Sequence, residues 1–308
     1  MATFVYTHDD CQRHVTPDGH PERVARLIAV ERGLQGLAVQ RLSAPMGDDA
    51  NVLRCHPARY LARVRAAVPA AGFVQLDGDT YLSPGSLDAA LRAVGGVCAG
   101  VDAVMAGNAH NAFVACRPPG HHAERETAMG FCLFGTVAIA AKRALDVHGL
   151  KRVAVVDFDV HHGNGTQDLL WDESRCLFVS SHQMPLYPGS GTPGENGAHG
   201  QILNIPLVAG SGGAAMRVLY EMQVFPRLME FAPELVLISA GFDAHRDDPL
   251  GGLRLVVDDF AWLTARICDV ADASAGGRVV STLEGGYDLD ALEDCVSAHV
   301  GVLAERGR

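Results

Sequence analysis

The chain has no run of about 18 apolar residues, the length that would carry a helix across a bilayer, so no membrane span is expected. Met1 to Thr7 leads into polar sequence with neither a basic start nor a small-residue cleavage site, and the expected compartment is the cytoplasm. No two cysteines form a CxxC pair. The eight that exist (Cys11, Cys55, Cys98, Cys116, Cys132, Cys176, Cys268 and Cys295) are scattered, several of them inside apolar segments. They read as buried thiols in a reducing environment rather than as a disulfide framework. Internal repeats, low-complexity tracts and long linkers are also missing, which favours a single domain over residues 1–308. Basic charge is scarce: 25 Lys and Arg stand against 36 Asp and Glu, a net charge of −11. That balance excludes an ordinary nucleic-acid binder and suits a cationic partner such as a lysine-rich tail or a polyamine.

What the chain does have is apolar sequence, 48% of it, arranged in short runs. Strand-length, β-branched runs recur at Thr3–Thr7, Ala112–Cys116, Val153–Phe158, Leu177–Ser180, Leu235–Ala240 and Val279–Leu283. Between several of them lie alanine-rich stretches with helical spacing, among them Ser86–Met105, Thr136–His148, Ala214–Phe231 and Asp258–Ala273. Unbroken apolar strands alternating with helices predict an α/β domain whose parallel sheet is covered on both faces. Such sheets bind ligands beyond the carboxyl ends of their strands. Here the central runs lead into polar, glycine-rich turns: Arg117-Pro-Pro-Gly-His-His122, Asp157-Phe-Asp-Val-His-His-Gly-Asn164, Gly241-Phe-Asp243 and Glu284-Gly-Gly-Tyr287. The chemistry therefore gathers along one edge of one sheet.

An isolated Asp-x-His more often caps a strand than holds a metal. Asp157, Asp159, His161 and His162 within six residues, after a buried-looking strand, reverse that expectation. Asp159 and His161 are two apart at a strand end, so their side chains point to the same side. A carboxylate oxygen and an imidazole nitrogen are ordinary zinc ligands, and a catalytic zinc takes about three protein ligands with one position left open. Asp243, at the end of another run, is the expected third. His121 and His122 on a rigid turn offer one imidazole to take a proton from water and a second to balance charge, with Asp157 and Asn164 as orienting partners. Tyr287 is placed to donate a hydrogen bond to a substrate carbonyl, beside glycines that let the backbone come close.

These segments, with Met129-Gly-Phe-Cys132 and the early His20-Pro-Glu-Arg23, resemble the zinc-dependent histone deacetylase family, in its class II and bacterial branch that includes acetylpolyamine amidohydrolases. The likeness runs in order along nearly the whole chain. It implies the single-domain arginase/deacetylase fold, with a parallel sheet of about eight strands and helices on both faces. It also implies one catalytic zinc on Asp159, His161 and Asp243. His122 would be general base and acid, His121 its electrostatic companion, and Tyr287 the group that polarises the acyl carbonyl. Gly130, Phe131, Tyr187, Leu250 and Gly286 would contact substrate. A structural potassium ion would take Asp157, Ser180 and main-chain oxygens of Asp159, His161 and Ser181. Arg26 would line an internal channel beneath the metal.

The chain departs from the family at Gly135-Thr136, where two asparagines are usual; this position is expected to begin a helix just behind the site. Polyamine-preferring eukaryotic members carry a glutamate seven residues after the last metal ligand, and that count from Asp243 gives Leu250. The segment Thr7–Pro21 also lacks a long loop that would narrow the entrance. Both features favour acetylated lysine in peptides or proteins over an acetylated polyamine. Two further readings are a binuclear manganese hydrolase of the arginase kind, which needs more carboxylate ligands, and a non-catalytic acyl-lysine binding module, which needs neither His122 nor Tyr287.

Overall fold

The structure is a computed structural model that describes residues 2–307. Its strands are β1 (Thr3–Thr7), β2 (Gln40–Ser43), β3 (Val74–Gln75), β4 (Tyr81–Leu82), β5 (Asn111–Val114), β6 (Val153–Asp157), β7 (Cys176–Gln183), β8 (Ile202–Leu207), β9 (Leu235–Ala240) and β10 (Val279–Leu283). Eight of them form one sheet in the order β2-β1-β5-β10-β9-β6-β7-β8, every pairing parallel; β3 and β4 make a small antiparallel ribbon. The helices are α1 (Ala25–Gly33), α2 (Asp49–Val52), α3 (Ala58–Ala67), α4 (Ser86–Met105), α5 (Thr136–Asp146), α6 (Asn164–Leu170), α7 (Gly213–Leu219), α8 (Phe225–Phe231), α9 (Val257–Ser274) and α10 (Leu289–Arg306).

Alternation along each strand explains why the central runs are apolar throughout. In β6, Val153 and Val155 enter one core layer, shared with α4 and α5, while Ala154 and Val156 enter the other, shared with α1, α8, α9 and α10. All five residues of β6 are buried. The six expected strands are present. The edge strands β2 and β8 complete the sheet: β2 is mostly exposed, and β8 carries Asn204 and Pro206, so neither reads as an unbroken apolar run.

The segment expected as helical over Ala214–Phe231 is helical throughout, but its hydrogen bonding changes in the middle. Between α7 and α8 lies a wide π turn, Tyr220–Val224, directly ahead of Pro226. Pro226 has no N–H to close an α-helical bond, and the wider turn accommodates it. Gly135 and Thr136 do begin a helix, α5.

The decisive feature for function is which strands are neighbours. The four polar turns read from the sequence leave β5, β10, β9 and β6, and these four strands are consecutive in the middle of the sheet. Their carboxyl ends deliver every expected reacting group to one place. Among the described residues, no helix is long and apolar enough to cross a membrane.

Candidate active site

Asp159 and His161 follow β6, and Asp243 follows its neighbour β9. One ligand atom from each lies within 4.8 Å of the others, and all three residues are buried. His161 Nδ1 faces both carboxylates, 3.1 Å from Asp159 Oδ1 and 3.1 Å from Asp243 Oδ2. The outer oxygens are held by the main chain: Gly285 N donates to Asp159 Oδ2 at 2.9 Å and Val160 N to Asp243 Oδ1 at 2.8 Å. Glycines keep this space open. A Cβ on Gly241 would stand 2.1 Å from Asp159 Oδ2, and one on Gly285 would stand 2.1 Å from Asp243 Oδ2.

The donor set fits a divalent cation. Burial raises the Asp243 carboxyl to about 7, and the charge of Asp159 pushes the same way. Burial pulls the His161 imidazole down, but its hydrogen bonds to Asp159 and Asp243 outweigh this and lift it to about 10. The imidazole thus holds a proton between two buried carboxylates. A cation bound there would take the place of that proton and meet two oxygens and one nitrogen, an ordinary zinc set with a position to spare.

The two histidines of the β5 turn are set to opposite protonation states. His121 Nδ1 donates to Asp157 Oδ2 at 3.0 Å, and its Nε2 lies 3.7 Å from Asp159 Oδ2. Burial alone would lower it; the charges of Asp159 and Asp157 overcome that and hold it well above the usual histidine range. His122, its ring centroid 3.9 Å from that of His121, is pushed well below that range by burial and then by the charges of His121 and His161. Its tautomer follows from a relay. Asn164 Nδ2 donates to Glu124 Oε1 at 2.8 Å, which turns Asn164 Oδ1 towards His122 Nδ1 at 2.7 Å. His122 Nδ1 therefore carries the hydrogen, and Nε2 is left as the proton acceptor.

A cavity of about 400 Å³ opens over these groups, lined by His122, His161 and Tyr287 at its depth and by His20, Asp79, Tyr81, Phe131, Leu186, Tyr187 and Leu250 among its walls. Phe131 packs edge-on to Tyr287 with centroids 5.8 Å apart, while Tyr187 stands against His122 at 5.2 Å. Burial holds the Tyr287 phenol well above its ordinary value, against the pull of Arg26, so it remains a hydrogen-bond donor. Gly130 also lines the cavity. Its φ is +54°, and a Cβ there would stand 2.4 Å from His122 Cδ2. Only glycine meets both demands.

Other residues named from the sequence are placed less directly. Gly286 is not part of the cavity lining; its carbonyl accepts from Arg26 Nε at 2.6 Å. Arg26 is fully buried, with its guanidinium over the Tyr287 ring at 4.9 Å. Asp157 and Ser180 are register partners across β6 and β7, and Ser181 Oγ lies 3.4 Å from the Asp157 carbonyl. His162 turns away from the three ligands, to Ser190 Oγ and Gln167 Oε1. Thr136 packs beneath the histidine turn, since a Cβ on Gly120 would stand 2.2 Å from its Oγ1.

Two buried carboxylates that sequence reasoning left without a role hold the site together. Glu284 Oε2 accepts from Gly120 N at 2.7 Å and His121 N at 3.1 Å, while its Oε1 accepts from Ser239 Oγ. Burial pushes it up to about 7, against the pull of His121. Asp248 Oδ2 accepts from Tyr287 N at 2.6 Å and Asp288 N at 3.3 Å. Glu284 thus fixes the histidine turn, and Asp248 fixes the tyrosine strap.

Residues 20–303 match the family described as the histone deacetylase domain. The chain is 43% identical over 253 residues to the histone deacetylase-like amidohydrolase of Pseudomonas aeruginosa, covering 81% of this chain and 66% of that protein. It is 38% identical over 321 residues to histone deacetylase 10, chloroplastic, of Oryza sativa subsp. japonica, covering 96% of this chain and 72% of that one. Its structure is similar to the crystal structure of the HDA15 HD domain, with a TM-score of 0.93 and 31% identity, covering 99% of this chain and 89% of that chain. A family match over nearly the whole chain thus joins the parallel eight-stranded fold and its buried Asp-His-Asp cluster, and the protein belongs to the histone deacetylase family as a hydrolytic deacetylase.

Proposed function

We propose that the protein is a zinc-dependent deacetylase whose main substrate class is N6-acetyl-lysine in peptides or proteins. The observation that carries this reading is the convergence of three metal-type ligands with His122 and Tyr287 at one cavity, which His122, His161 and Tyr287 line. Zinc on Asp159, His161 and Asp243, when bound, supplies Lewis acidity to a carbonyl oxygen and acidifies a water.

The side chains supply the rest. Phe131 and Tyr187 flank the acyl-bearing chain and exclude water from it. His122 Nε2 accepts the proton of the attacking water, and the positive His121 beside it offsets the negative charge of Asp157 and Asp159. The Tyr287 phenol donates to the carbonyl oxygen as that oxygen gains negative charge, the point where a fixed donor is most effective. His122 then returns the proton to the departing amine. Asp157, Ser180 and the main-chain oxygens of Asp159, His161 and Ser181 would hold the potassium ion. The eight free thiols, nearly all buried, suit a reducing cytoplasm.

Leu250 at the mouth favours lysine over a polyamine, because an apolar residue there gives a second ammonium no partner. An acetylpolyamine is the second reading, favoured by Asp79, a half-buried carboxylate on the same mouth. The arginase-like alternative lacks support: Asp157 and Glu284, which could have been further ligands, are committed to His121 and to main-chain amides. A purified-protein assay on an acetyl-lysine peptide, acetylspermidine and acetylputrescine, with and without chelator, tests the proposal. Peptide turnover with the higher kcat/KM supports it. Faster polyamine turnover would reassign the substrate, and turnover of none of them would overturn the activity.

A further inference from the structure

Glu22 is completely buried and contacts no reacting group, yet it stands between the two arginines that hold the site. Its Oε2 accepts from Arg117 Nη2 at 2.6 Å, and its Oε1 accepts from Arg117 Nε and from Arg26 Nη1, the latter at 3.2 Å. His14 Nε2 lies 3.3 Å from Oε2. Arg117 spends its remaining donors on the carbonyls of Cys11, His14 and Glu22 itself, and its next residues are the Pro-Pro-Gly that lead to His121. Arg26 grips the carbonyls of Glu284 and Gly286 and lies over the Tyr287 ring. From the other side, the Glu284 side chain holds the amides of Gly120 and His121.

These links close a ring: Glu22 to Arg117, along the chain to Gly120 and His121, across to the Glu284 side chain, through the Glu284 carbonyl to Arg26, and back to Glu22. The histidine turn and the tyrosine strap are opposite arcs of it. We infer that Glu22 is a positioning residue that fixes the histidine pair and Tyr287 relative to each other by joining Arg117 to Arg26. A neutral side chain of the same shape would leave two buried guanidiniums without their shared anion, so both arcs would loosen together. A ring also predicts how breaks combine. Opening it at one link releases both arcs, and a second break adds little.

The assignment rests on the deacetylase reading only for its kinetic arm. Glu22→Gln, Arg26→Lys and their double variant would be compared with wild type. Expected for Glu22→Gln is a kcat loss of about 100-fold, the scale of an ångström of misplacement, with KM little changed. The double variant would be no slower than the slower single one. Hydrogen–deuterium exchange gives the second readout: residues 117–124 and 284–289 would both exchange faster, although Glu22 touches neither arc's reacting groups. Multiplied kcat losses, or faster exchange confined to residues 11–26 or spread evenly over the chain, would overturn the inference. If Glu22→Gln does not fold, Arg26→Lys and Arg117→Lys, singly and together, put the same question with the charges retained. Exchange does not depend on turnover, so an inactive wild type would count against the deacetylase reading and leave exchange to decide the ring.

Discussion

Substituting Gly130 by alanine tests the geometry around the base most directly. The new Cβ would lie 2.4 Å from His122 Cδ2, 2.7 Å from Cγ and 2.9 Å from the His122 Cβ. Carbon atoms rest at about 3.5–4.0 Å, so the imidazole has to retreat by about 1 Å. It cannot do so while keeping its 2.7 Å bond to Asn164 Oδ1, which fixes the tautomer. Misplacement on that scale costs about 100-fold in rate. The same substitution also strains the backbone, because φ is +54° and an L-residue pays about 1–2 kcal/mol there. Gly107→Ala separates the two effects. Its φ is +72° and nothing lies within 4 Å of an added Cβ, so it carries the strain without the clash. In a fluorogenic acetyl-lysine assay with melting curves alongside, both variants should lose stability and only Gly130→Ala should lose kcat. Wild-type turnover by Gly130→Ala, with its melting point lowered, would show that His122 does not need its present position and would refute the assignment of the base.

Further outcomes follow from other parts of the site. Tyr287→Phe should bind zinc at wild-type stoichiometry while turnover falls by about 100- to 1000-fold, the usual loss for one donor to a developing oxyanion; metal analysis and kinetics on the same sample check this. Chelation should abolish activity, and added zinc should restore it, whereas Asp243→Ala should respond to neither treatment. His56 is lowered to about 4 by burial, its Nδ1 donating to the Arg125 carbonyl and its Nε2 accepting from Gly135 N. A histidine kept neutral in the fold stabilises fully above its ordinary value near 6.5 and loses that contribution as pH falls towards 4. The shift corresponds to about 3 kcal/mol, measurable as the extra loss between pH 7 and pH 4 in urea unfolding of wild type relative to His56→Gln.

The parts of this site legible in the sequence are those whose geometry is local. Asp159 and His161 lie two apart after a strand whose every residue is buried, so spacing alone orients them together. Asp243 needed β9 to be the neighbour of β6, a pairing no local pattern encodes, and the resemblance supplied what spacing could not. Glu284 lies inside a segment singled out for its glycines and tyrosine. Its role stayed hidden because its partners are main-chain amides 164 and 163 positions away. Asp248 is similar, joined to an amide 39 positions on. A carboxylate placed at the end of an apolar strand, where burial is certain, was the available signal for Glu284. The edge strands β2 and β8 were illegible for the opposite reason: water or polar partners on one side remove the need for an unbroken apolar run.

The cavity is built from two kinds of sequence. Its closed end is set by residues directly after strands at the centre of the sheet, whereas its mouth is made by His20, Asp79, Tyr81, Leu186 and Leu250, which lie in or beside irregular connections. The residues at the mouth and those at the hydrolytic centre therefore come from different kinds of segment. A substitution in those connections would reshape the entrance and leave the hydrolytic centre as it is.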